Sequence, residues 1–510
     1  MPKLPWSTLA VVAAIVLLGA VLRFWGLDAG APFRTGVDEP VILSTALRIV
    51  KTGDFHPHFF DYGGLTLYLH AAVASLAFLA GASEGRWTHL DAMWEGDLLV
   101  PGRMATAVLG TLTIVLVFRI GLRWGRAVGI IAALAMAVLP AHVREAHFVL
   151  TDTPLTLFVT LALLLSIRAT EQGRVSSLAI AGVAVGLATA VKYNGVLALL
   201  IPGMVALSLS PGRRVAGLSA SVAAAAITFL VFAPYTVLDL PAFLNGMAYL
   251  MQSYNQDRPL AASMATYLAH LRNWFTWPGV LPTMVGYLAL LLTAAGFLTM
   301  LARRDARPGR LIAVLVVAFP LVYFWFVSTQ YLQYGRYLLP IGPMLCVGLA
   351  AGVTAAAQRL QRIPPIRAIA LPLLALLILA PPTAAAVSWN RTHTRTTTAE
   401  QAAHWILDHS GAGHRTVSEV PMQLPPHLRL TVTPRLIART IEEYRTAGVT
   451  YLIGSSNSSD IYYADPAANS AAVAAHRTLL ALTDPVATFV PTPDHPGAVV
   501  TIRRVPPSVD

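Results

Sequence analysis

The sequence predicts a polytopic α-helical membrane protein with a small C-terminal α/β domain, and three observations carry this prediction. Of the 510 residues, 56% are hydrophobic and only 12% are charged, with a mean hydropathy of +0.62, whereas soluble domains carry about 25% charged residues. The apolar residues form runs long enough to cross a hydrocarbon core of about 30 Å as helices. The composition then changes in residues 387–510, where apolar and polar residues alternate.

The apolar runs predict eleven membrane-spanning helices. A further run, residues 65–81, is also apolar enough to span, so hydropathy alone leaves a choice between eleven and twelve helices. The eleven predicted spans are residues 8–25, 102–120, 127–143, 151–167, 176–191, 194–210, 214–233, 282–301, 311–327, 337–356 and 367–386.

The basic residues between the spans favour eleven. With eleven, five arginine-rich loops and Lys3 lie on one side, which is the positive-inside pattern. If residues 65–81 also crossed, with the N-terminus still inside, all five loops would lie outside. We therefore predict that residues 65–81 form a helix in the outer interface with Tyr68 and His70 near water; a true span with inverted charge bias is the alternative. The arginines are Arg119, Arg123 and Arg126; Arg168 and Arg174; Arg213 and Arg214; Arg303, Arg304, Arg307 and Arg310; and Arg359, Arg362 and Arg367.

This topology places three longer segments outside: residues 26–101, residues 234–281 and the tail. We predict a transmembrane domain over residues 1–386 and an extracytoplasmic α/β domain over residues 387–510. In the tail, TTTAEQAAHWILDH predicts a helix opened by a threonine cap. The stretches RTVSEV, RLTVT, VTYLIGS, VATFV and AVVTIRRV predict short strands. Trp405 can supply a core, which favours a folded domain over a disordered tail.

The charge and cysteine content exclude two other classes of protein. The net charge of +11 does not indicate a nucleic-acid partner, because the arginines lie in small groups between apolar runs and not along one basic face. The single cysteine, Cys346, excludes an intramolecular disulfide and lies in an apolar run.

The first apolar run has a basic start like a signal peptide but no clear cleavage site, so we predict a retained helix. Membrane lipids are the expected surroundings.

Two adjacent carboxylates, Asp38 and Glu39, follow the first span and precede Pro40 and the helical run VILSTALRIV. This position predicts the N-terminus of a helix, where unpaired backbone amides stabilise a carboxylate. Spacing alone therefore favours a structural cap. The position beside the membrane surface, within the long outer segment, also suits a catalytic base that acts at that surface.

Several histidines and one aspartate are further candidates. Asp152 precedes Thr153 and Pro154, so a helix cap is its alternative role. His142 and His147 are five residues apart, a spacing that suits neither one helix face nor a zinc site, and we predict interface histidines. His56 and His58, which alternate in FHPHFF, are better candidates for a divalent metal ion. We assign no other cofactor.

Three basic residues lie where predicted spans meet the outer side of the membrane. Lys192 lies at the outer junction of two spans, Arg336 precedes another span, and Arg103 opens the second span. A phosphate group in a low-dielectric interface needs such partners, and arginine can bind it bidentately. For any one of the three, snorkelling to the interface is the alternative explanation. Convergence of all three would favour a phosphate site.

The order of these motifs resembles the membrane-embedded GT-C glycosyltransferases, which include protein O-mannosyltransferases and the aminoarabinose transferase of lipid A. The resemblance covers about residues 8–360 and, more loosely, the tail. The motifs, in order, are the acidic pair in Val37-Asp38-Glu39, the helix ending Gly53-Asp54-Phe55, the span opened by Arg103, Asp152 in LTDTPL, the hairpin from Gly182 to Gly195 that ends in KYNG, and RYLLP from Arg336 to Pro340.

The resemblance implies an inverting transfer of a sugar from a polyprenyl-phosphate donor to an acceptor hydroxyl on a lipid, polysaccharide or protein. The reaction would take place at the outer face of the plasma (inner) membrane. Where relatives have a Lys/Tyr-Pro-Pro-Leu stretch, this chain has Asp61-Tyr62-Gly63-Gly64-Leu65, so we expect a different acceptor geometry. The implied roles are general base for Asp38, with Glu39 beside it; support of the site for Asp152; and binding of the donor phosphate for Lys192, Arg336 and Arg103.

Two other classes of function compete with this interpretation. A transporter or lipid flippase would place ionisable residues near the bilayer midplane and often has repeated halves with broken helices. Here the predicted spans are nearly free of charge, and the ionisable groups gather at the outer surface. A non-catalytic scaffold that presents the tail domain would leave the charged outer loops unexplained.

The predicted topology can be tested with cysteine labelling in intact cells. A cysteine at Ser410 should react with a membrane-impermeant thiol reagent, because five arginine-rich loops place the tail outside. A cysteine at Arg213, in an inner loop, should react only after permeabilisation, and the unsubstituted chain gives the background from Cys346. Protection of the Ser410 cysteine in intact cells would contradict the topology.

Overall fold

A computed structural model describes residues 4–254, 259–276, 280–302, 309–363, 366–411 and 413–507. Of the predicted inner basic residues, Lys3, Arg303, Arg304 and Arg307 lie outside the described residues. The chain divides into two compact units. The first comprises Met1–Leu27, Thr45–Leu76 and Gly102–Asn390, and the second comprises Asp28–Ser44, Ala77–Pro101 and Arg391–Asp510. The boundary that we place after residue 386 stays a prediction.

Apolar helices make up most of the chain up to residue 393. They are α1 (Trp6–Phe24), α2 (Glu39–Thr52), α3 (Gly64–Ser83), α4 (Leu99–Gly121), α5 (Arg126–Val138), α6 (Pro140–Glu145), α7 (Asp152–Gln172), α8 (Val175–Val191), α9 (Leu200–Ser208), α10 (Pro211–Phe232), α11 (Tyr235–Leu238), α12 (Leu240–Tyr254), α13 (Leu260–Asn273), α14 (Val280–Ala302), α15 (Gly309–Ser328), α16 (Gly342–Leu360) and α17 (Ala370–His393). Short 3-10 helices cover Leu90–Ala92, Glu95–Leu98, Leu122–Trp124, Tyr193–Leu199 and Gly335–Ile341.

Each of the eleven predicted spans coincides with one of these helices or with two consecutive ones. In the part of the chain that the structure describes, nine helices are long and apolar enough to cross a membrane. Three shorter apolar helices cover Arg126–Val138, Val175–Val191 and Tyr193–Ser208. The chain is therefore an integral membrane protein, as predicted, while the number of about eleven crossings stays a prediction.

The predicted span 127–143 is broken between α5 and α6. Pro140 cannot donate a backbone hydrogen bond, and its ring does not fit a continuing helix. The fully buried guanidinium of Arg23, on α1, donates instead to the last carbonyls of α5, those of Met136 and Ala137, at 2.9 Å each. It also contacts Nδ1 of His142 at 3.0 Å. Arg23 thus satisfies a helix end that would otherwise lose its partners in an apolar environment.

Helices α14 and α16 touch through glycines. A Cβ atom at Gly296 would collide with the carbonyl oxygen of Gly348, and one at Gly352 with that of Leu292. Small residues let two helices in a membrane approach this closely, so that van der Waals packing holds them together.

Residues 65–81 form most of α3, whose length and composition would allow it to cross a membrane, and its interfacial placement stays a prediction. The expectation that His70 lies near water is wrong, because its side chain is only 1% exposed. The start of α3 packs against protein: Thr66 donates to the carbonyl of Val191 at 3.1 Å. Tyr68 is half-buried and donates to the carbonyl of Phe55 at 3.0 Å.

The second unit contains the predicted α/β domain, and all five predicted strands form. The strands are β1 (Arg415–Ser418), β2 (Leu430–Val432), β3 (Val449–Ser455), β4 (Asp484–Phe489) and β5 (Val500–Arg504). They form one sheet in the order β2-β1-β3-β5-β4. Strand β1 is parallel to β2 and β3, and β5 is antiparallel to β3 and β4. The hydroxyl of Thr397 accepts from the backbone N–H of Glu400 at 3.2 Å, as predicted for the helix cap. The helices of this domain are α18 (Thr398–His409), α19 (Ile441–Thr446), α20 (Ser456–Ala464) and α21 (Ser470–Ala481).

The segment Asp28–Ser44 belongs to this second unit. Phe33 is buried in the same hydrophobic cluster as Ile406 and Ile453, and its carbonyl accepts from the backbone N–H of Gln423 at 2.8 Å. Arg34 pairs with Glu400 at 3.0 Å. The stretch of chain that carries the acidic pair is therefore fastened to the C-terminal domain by an aromatic anchor and an ion pair.

The placement of α3 can be tested by labelling cysteines on both sides of it. A helix that lies in the interface has both ends on one side, so cysteines at Asp61 and Ser83 should react with an impermeant reagent from the same face. Asp61 is used because a side chain at Gly64 would collide with the carbonyl of Phe232. Reaction of the two positions from opposite faces would show that α3 spans.

Candidate active site

Asp152 is the first residue of α7, and its side chain is almost completely buried. Its Oδ1 accepts from Nζ of Lys192 at 2.8 Å, and its Oδ2 lies 3.5 Å from Nε of Arg336. The structure thus brings together three residues that lie far apart in the sequence. A buried carboxylate requires such partners, because an isolated charge in an apolar interior is strongly destabilising.

Both cations come from interruptions between helices. Lys192 ends α8 with an extended backbone (φ −152°, ψ 130°), and the N–H of Gly195 closes the next turn on its carbonyl at 2.8 Å. Gly195 is required there, because a Cβ atom would collide with the backbone of Ala188. Arg336 lies in the 3-10 helix Gly335–Ile341, which precedes α16. At such interruptions, long polar side chains can leave the apolar helix surface.

Tyrosine rings hold the two cations in place. Nζ of Lys192 lies 4.3 Å from the ring centre of Tyr337, and Cζ of Arg336 lies 4.7 Å from that of Tyr334. These distances are within the range of about 6 Å for cation–π attraction. The hydroxyls of Tyr337 and Tyr254 are hydrogen-bonded at 3.0 Å. The tyrosines restrict the cations without neutralising them.

The cluster keeps some access to its surroundings. The side chains of Lys192 and Arg336 are 17% and 15% exposed, whereas that of Asp152 is 2% exposed. The carboxylate is thus enclosed, while each basic side chain keeps part of its surface exposed. A lysine and an arginine held side by side in this way suit an anionic group.

Glu145 is a second buried acid near this cluster, and no motif in the sequence points to it. Its carboxylate accepts from Nε of Arg144 at 2.7 Å. Burial raises the pKa of Glu145, and the charge of Asp152 acts in the same direction, while Arg144 and Arg336 oppose the shift.

Arg103 is buried in α4. Its Nη1 donates to the carbonyl of Leu27 at 3.1 Å, and its Cζ lies 5.7 Å from the ring centre of Phe148. These contacts fix the end of the first span and do not by themselves place Arg103 at the Asp152 cluster. The predicted role of Arg103 at a donor phosphate stays a prediction.

The acidic pair lies at the N-terminus of α2, which begins at Glu39 as the sequence predicts. The carboxylate of Glu39 is fully buried and accepts from the backbone N–H of Gly36 at 2.6 Å. The carbonyl of Asp38 accepts from the N–H of Ile42 at 3.2 Å, and its side chain is half-buried. The two acids therefore differ, because Glu39 is bound within its own loop while Asp38 keeps part of its surface accessible.

The candidate metal ligands His56 and His58 are held by hydrogen bonds. Their rings stack with centres 3.9 Å apart, and their Nε2 atoms lie 2.9 Å from Asp239 and 3.0 Å from Asp54. The backbone N–H of His56, followed by the His58 ring, lowers the pKa of Asp54. Among the residues described, there is no group of three or more His, Cys, Asp or Glu that could hold a metal ion.

The prediction that His142 and His147 are interface histidines is wrong, since both are fully buried. His142 contacts Arg23, and the ring nitrogens of His147 are hydrogen-bonded to the carbonyls of Val143 at 2.8 Å and Trp25 at 3.1 Å. The imidazole of His147 thus meets two backbone carbonyls near helix ends, whereas that of His142 meets the guanidinium of Arg23.

A family model matches one part of the sequence, and several solved structures match the fold. The family model described as dolichyl-phosphate-mannose-protein mannosyltransferase matches residues 92–237, a range that includes Arg103, Asp152 and Lys192. No curated protein sequence matches the chain.

Solved structures match over nearly the whole chain. ArnT from Cupriavidus metallidurans in the apo state is 15% identical, with a TM-score of 0.64 and 98% of both chains covered. Its structure bound to undecaprenyl phosphate is 16% identical, with a TM-score of 0.61 and 97% of both chains covered. The archaeal oligosaccharyltransferase AglB from Archaeoglobus fulgidus is 12% identical, with a TM-score of 0.54, and 90% of this chain and 70% of that chain are covered.

At these identities the likeness establishes the fold alone. The chain has the GT-C fold that the order of its motifs implies, and in this chain the fold comprises a polytopic helical domain and a small C-terminal sheet domain. The resemblance inferred from the order of the motifs is therefore confirmed at the level of the fold.

The coupling within the Asp152 cluster can be measured with a double-mutant cycle in detergent. Asp152→Asn should lower the free energy of unfolding by about 3–5 kcal/mol, because it leaves buried cations without their carboxylate. Lys192→Gln should lower the free energy of unfolding less in the Asp152→Asn protein than in the wild type, with an interaction energy of about 0.5–3 kcal/mol between the two substitutions. Glu84→Gln, which removes an exposed pair with Arg86, should change stability by less than about 1 kcal/mol. Additive effects of Asp152→Asn and Lys192→Gln would contradict the cluster.

Proposed function

We propose that the chain is a glycosyltransferase that moves a sugar from a polyprenyl-phosphate donor to an acceptor hydroxyl at the outer face of the membrane. The observation that carries the proposal is the cluster in which buried Asp152 fixes Lys192 and Arg336 at the ends of apolar helices. A lysine and an arginine held in this way suit a phosphate group, the arginine through its planar fork and the lysine as a point charge.

The ligands of structurally similar proteins support this class of donor. One ArnT structure contains undecaprenyl phosphate, and the AglB structure contains a dolichol-phosphate and an inhibitory peptide. Both lipids place a phosphate on a long isoprenoid chain. A chain with the same fold, and with two cations held between apolar helices by a buried carboxylate, is suited to a ligand of this kind.

The proposed reaction is a single displacement with inversion. The acceptor oxygen forms a bond with the anomeric carbon as the bond from that carbon to the phosphate oxygen breaks. The acceptor proton passes to a carboxylate, which we assign to Asp38, and the lipid phosphate leaves with the bonding electron pair. Lys192 and Arg336 stabilise the charge that develops on the phosphate, and we assign the same role to Arg103.

The two acids of the pair receive different roles in this proposal. Glu39, buried and bound to the N–H of Gly36, shapes the turn at the start of α2. Asp38 is the less buried of the two acids and is the better candidate for the base. Asp152 acts through the cations that it holds and is therefore a positioning residue. The sugar and the acceptor, whether lipid, polysaccharide or protein, are left open.

A transporter or flippase remains the alternative class. Its expected sign is ionisable residues near the bilayer midplane that serve a passage. Arg23 is the buried charge in α1, and its contacts are three backbone carbonyls and His142. These contacts close a break between helices, so Arg23 has a structural role and does not favour transport.

Asp38→Asn should abolish sugar transfer while leaving folding and donor binding intact. Asparagine is nearly isosteric and can still cap a helix, but an amide cannot accept the proton, and loss of a general base lowers rates by about 10²–10⁴-fold. The measurement is release of lipid phosphate by mass spectrometry, with purified protein and a panel of polyprenyl-phosphate sugars.

Glu39→Gln and Asp152→Asn are the comparison variants, and donor binding is measured separately for each. Asp152→Asn should weaken donor binding, whereas Asp38→Asn should not. Transfer by Asp38→Asn within a few-fold of the wild type would return Asp38 to a structural role. Wild-type protein that releases no lipid phosphate with any donor in the panel would contradict the proposed function itself.

A further inference from the structure

We propose that a second site, separate from the candidate active site, binds the phosphodiester head group of an anionic phospholipid. The site is a cavity of about 400 Å³ within the first unit. It lies between the C-terminal ends of α14 and α16 and the start of α5. Its polar rim is formed by Gln358, Arg359 and Arg362, and Trp124, Val128 and Met300 are among its walls.

The cavity exists because the facing residues are small. Helices α14 and α16 are held in backbone contact by Gly296 and Gly352. Around this contact and towards the helix ends, Ala302, Ala351 and Ala355 line the space between the helices. Protein interiors are normally packed to the density of organic crystals, so a space of this size beside tightly packed helices is a candidate for a ligand.

The cavity lies at the opposite end of α16 from the Asp152 cluster. Helix α16 begins directly after the 3-10 helix that carries Arg336 and ends at Leu360, beside Arg359. Its 19 residues, at 1.5 Å each, span about 28 Å, close to the hydrocarbon thickness of a bilayer. The surface with the cavity is the one that the arginine-rich loops predict to be cytoplasmic. The cavity is therefore separate from the phosphate site that we propose for Lys192 and Arg336.

The charge of the rim indicates an anion. Arg359 and Arg362 are the charged residues that line the cavity, and both are exposed. Across the described ranges, neither guanidinium forms an ion pair with a carboxylate. Arg359 also lies in the last turn of α16, where a cation interacts favourably with the helix dipole. That interaction accounts for one arginine, but not for two arginines and the amide of Gln358 at the mouth of one cavity.

The walls indicate an amphiphile and not a free anion. Below the arginines, the cavity is lined by alanine, valine and methionine together with Thr299 and Thr354, and Trp124 has the aromatic character that is enriched at membrane–water interfaces. A phosphodiester bound by the two guanidinium groups would place its glycerol and first acyl carbons against these apolar walls. Basic pockets between helices at the cytoplasmic surface bind anionic head groups in this way.

The test is a titration of the purified full-length protein with short-chain phosphatidylglycerol, with phosphatidylcholine as the neutral reference, followed by native mass spectrometry. Arg359→Gln with Arg362→Gln should weaken phosphatidylglycerol binding by about 30-fold, which is about 2 kcal/mol at about 1.4 kcal/mol per tenfold. The matched control is Arg213→Gln with Arg214→Gln, two exposed arginines in another predicted inner loop, and it should change binding less than twofold.

A second variant tests the cavity without changing its charge. Ala355→Trp should fill the space between α14 and α16 and weaken phosphatidylglycerol binding by at least about tenfold, even if the double arginine variant does not fold. Equal losses in the two arginine variants, or unchanged binding in Ala355→Trp, would overturn the site. Displacement of the lipid by millimolar inorganic phosphate would overturn its assignment to a lipid, since the arginines alone would then suffice.

Discussion

The ion cluster of Asp152, Lys192 and Arg336 is the interaction on which the arrangement of the first unit depends. It joins the start of α7, the end of α8 and the 3-10 helix before α16, three helix ends that the hydrophobic effect alone would not align within a membrane. A buried charge is stable in an apolar environment only when it has an opposite charge in good geometry and enough hydrogen-bond partners. The cluster therefore specifies how these helix ends meet, and the same two cations are then available to a phosphate.

A second constraint acts on the acidic pair. Phe33 and Arg34 fasten the segment before Asp38 to the C-terminal domain, through the cluster that contains Ile406 and through the ion pair with Glu400. This domain has a five-stranded sheet and its own hydrophobic core. Its structure gives it a clear role within the chain, because it holds the loop whose carboxylates are the candidates for proton transfer. A change in this domain can therefore affect the acidic pair without touching it.

The candidate site shows how far sequence reasoning reaches. The sequence points to Asp152, Lys192 and Arg336 separately, with a helix cap as the alternative role of Asp152 and snorkelling as that of the two cations. The structure brings the three side chains into one cluster. The motifs do not single out the tyrosines that contact the cations, although Tyr334 and Tyr337 flank Arg336 in QYGRY, which is an available signal. His70, expected near water, and His142 and His147, expected at the interface, are buried instead, because hydropathy assigns a polar histidine to the membrane edge and carries no information about the tertiary burial of its side chain.

The sequence by itself determined the apolar helices, the strands of the tail, the cap at Thr397 and the start of α2 at Glu39. These features depend on local composition and on periodicity, which act over a few residues. Only the tertiary structure decided the meeting of Asp152 with Lys192 and Arg336, the capping of α5 by Arg23, and the attachment of Phe33 to the C-terminal domain. These contacts join residues from 40 to nearly 400 positions apart. A linear pattern carries no record of such partners, because helix packing and burial select them after the local elements have formed.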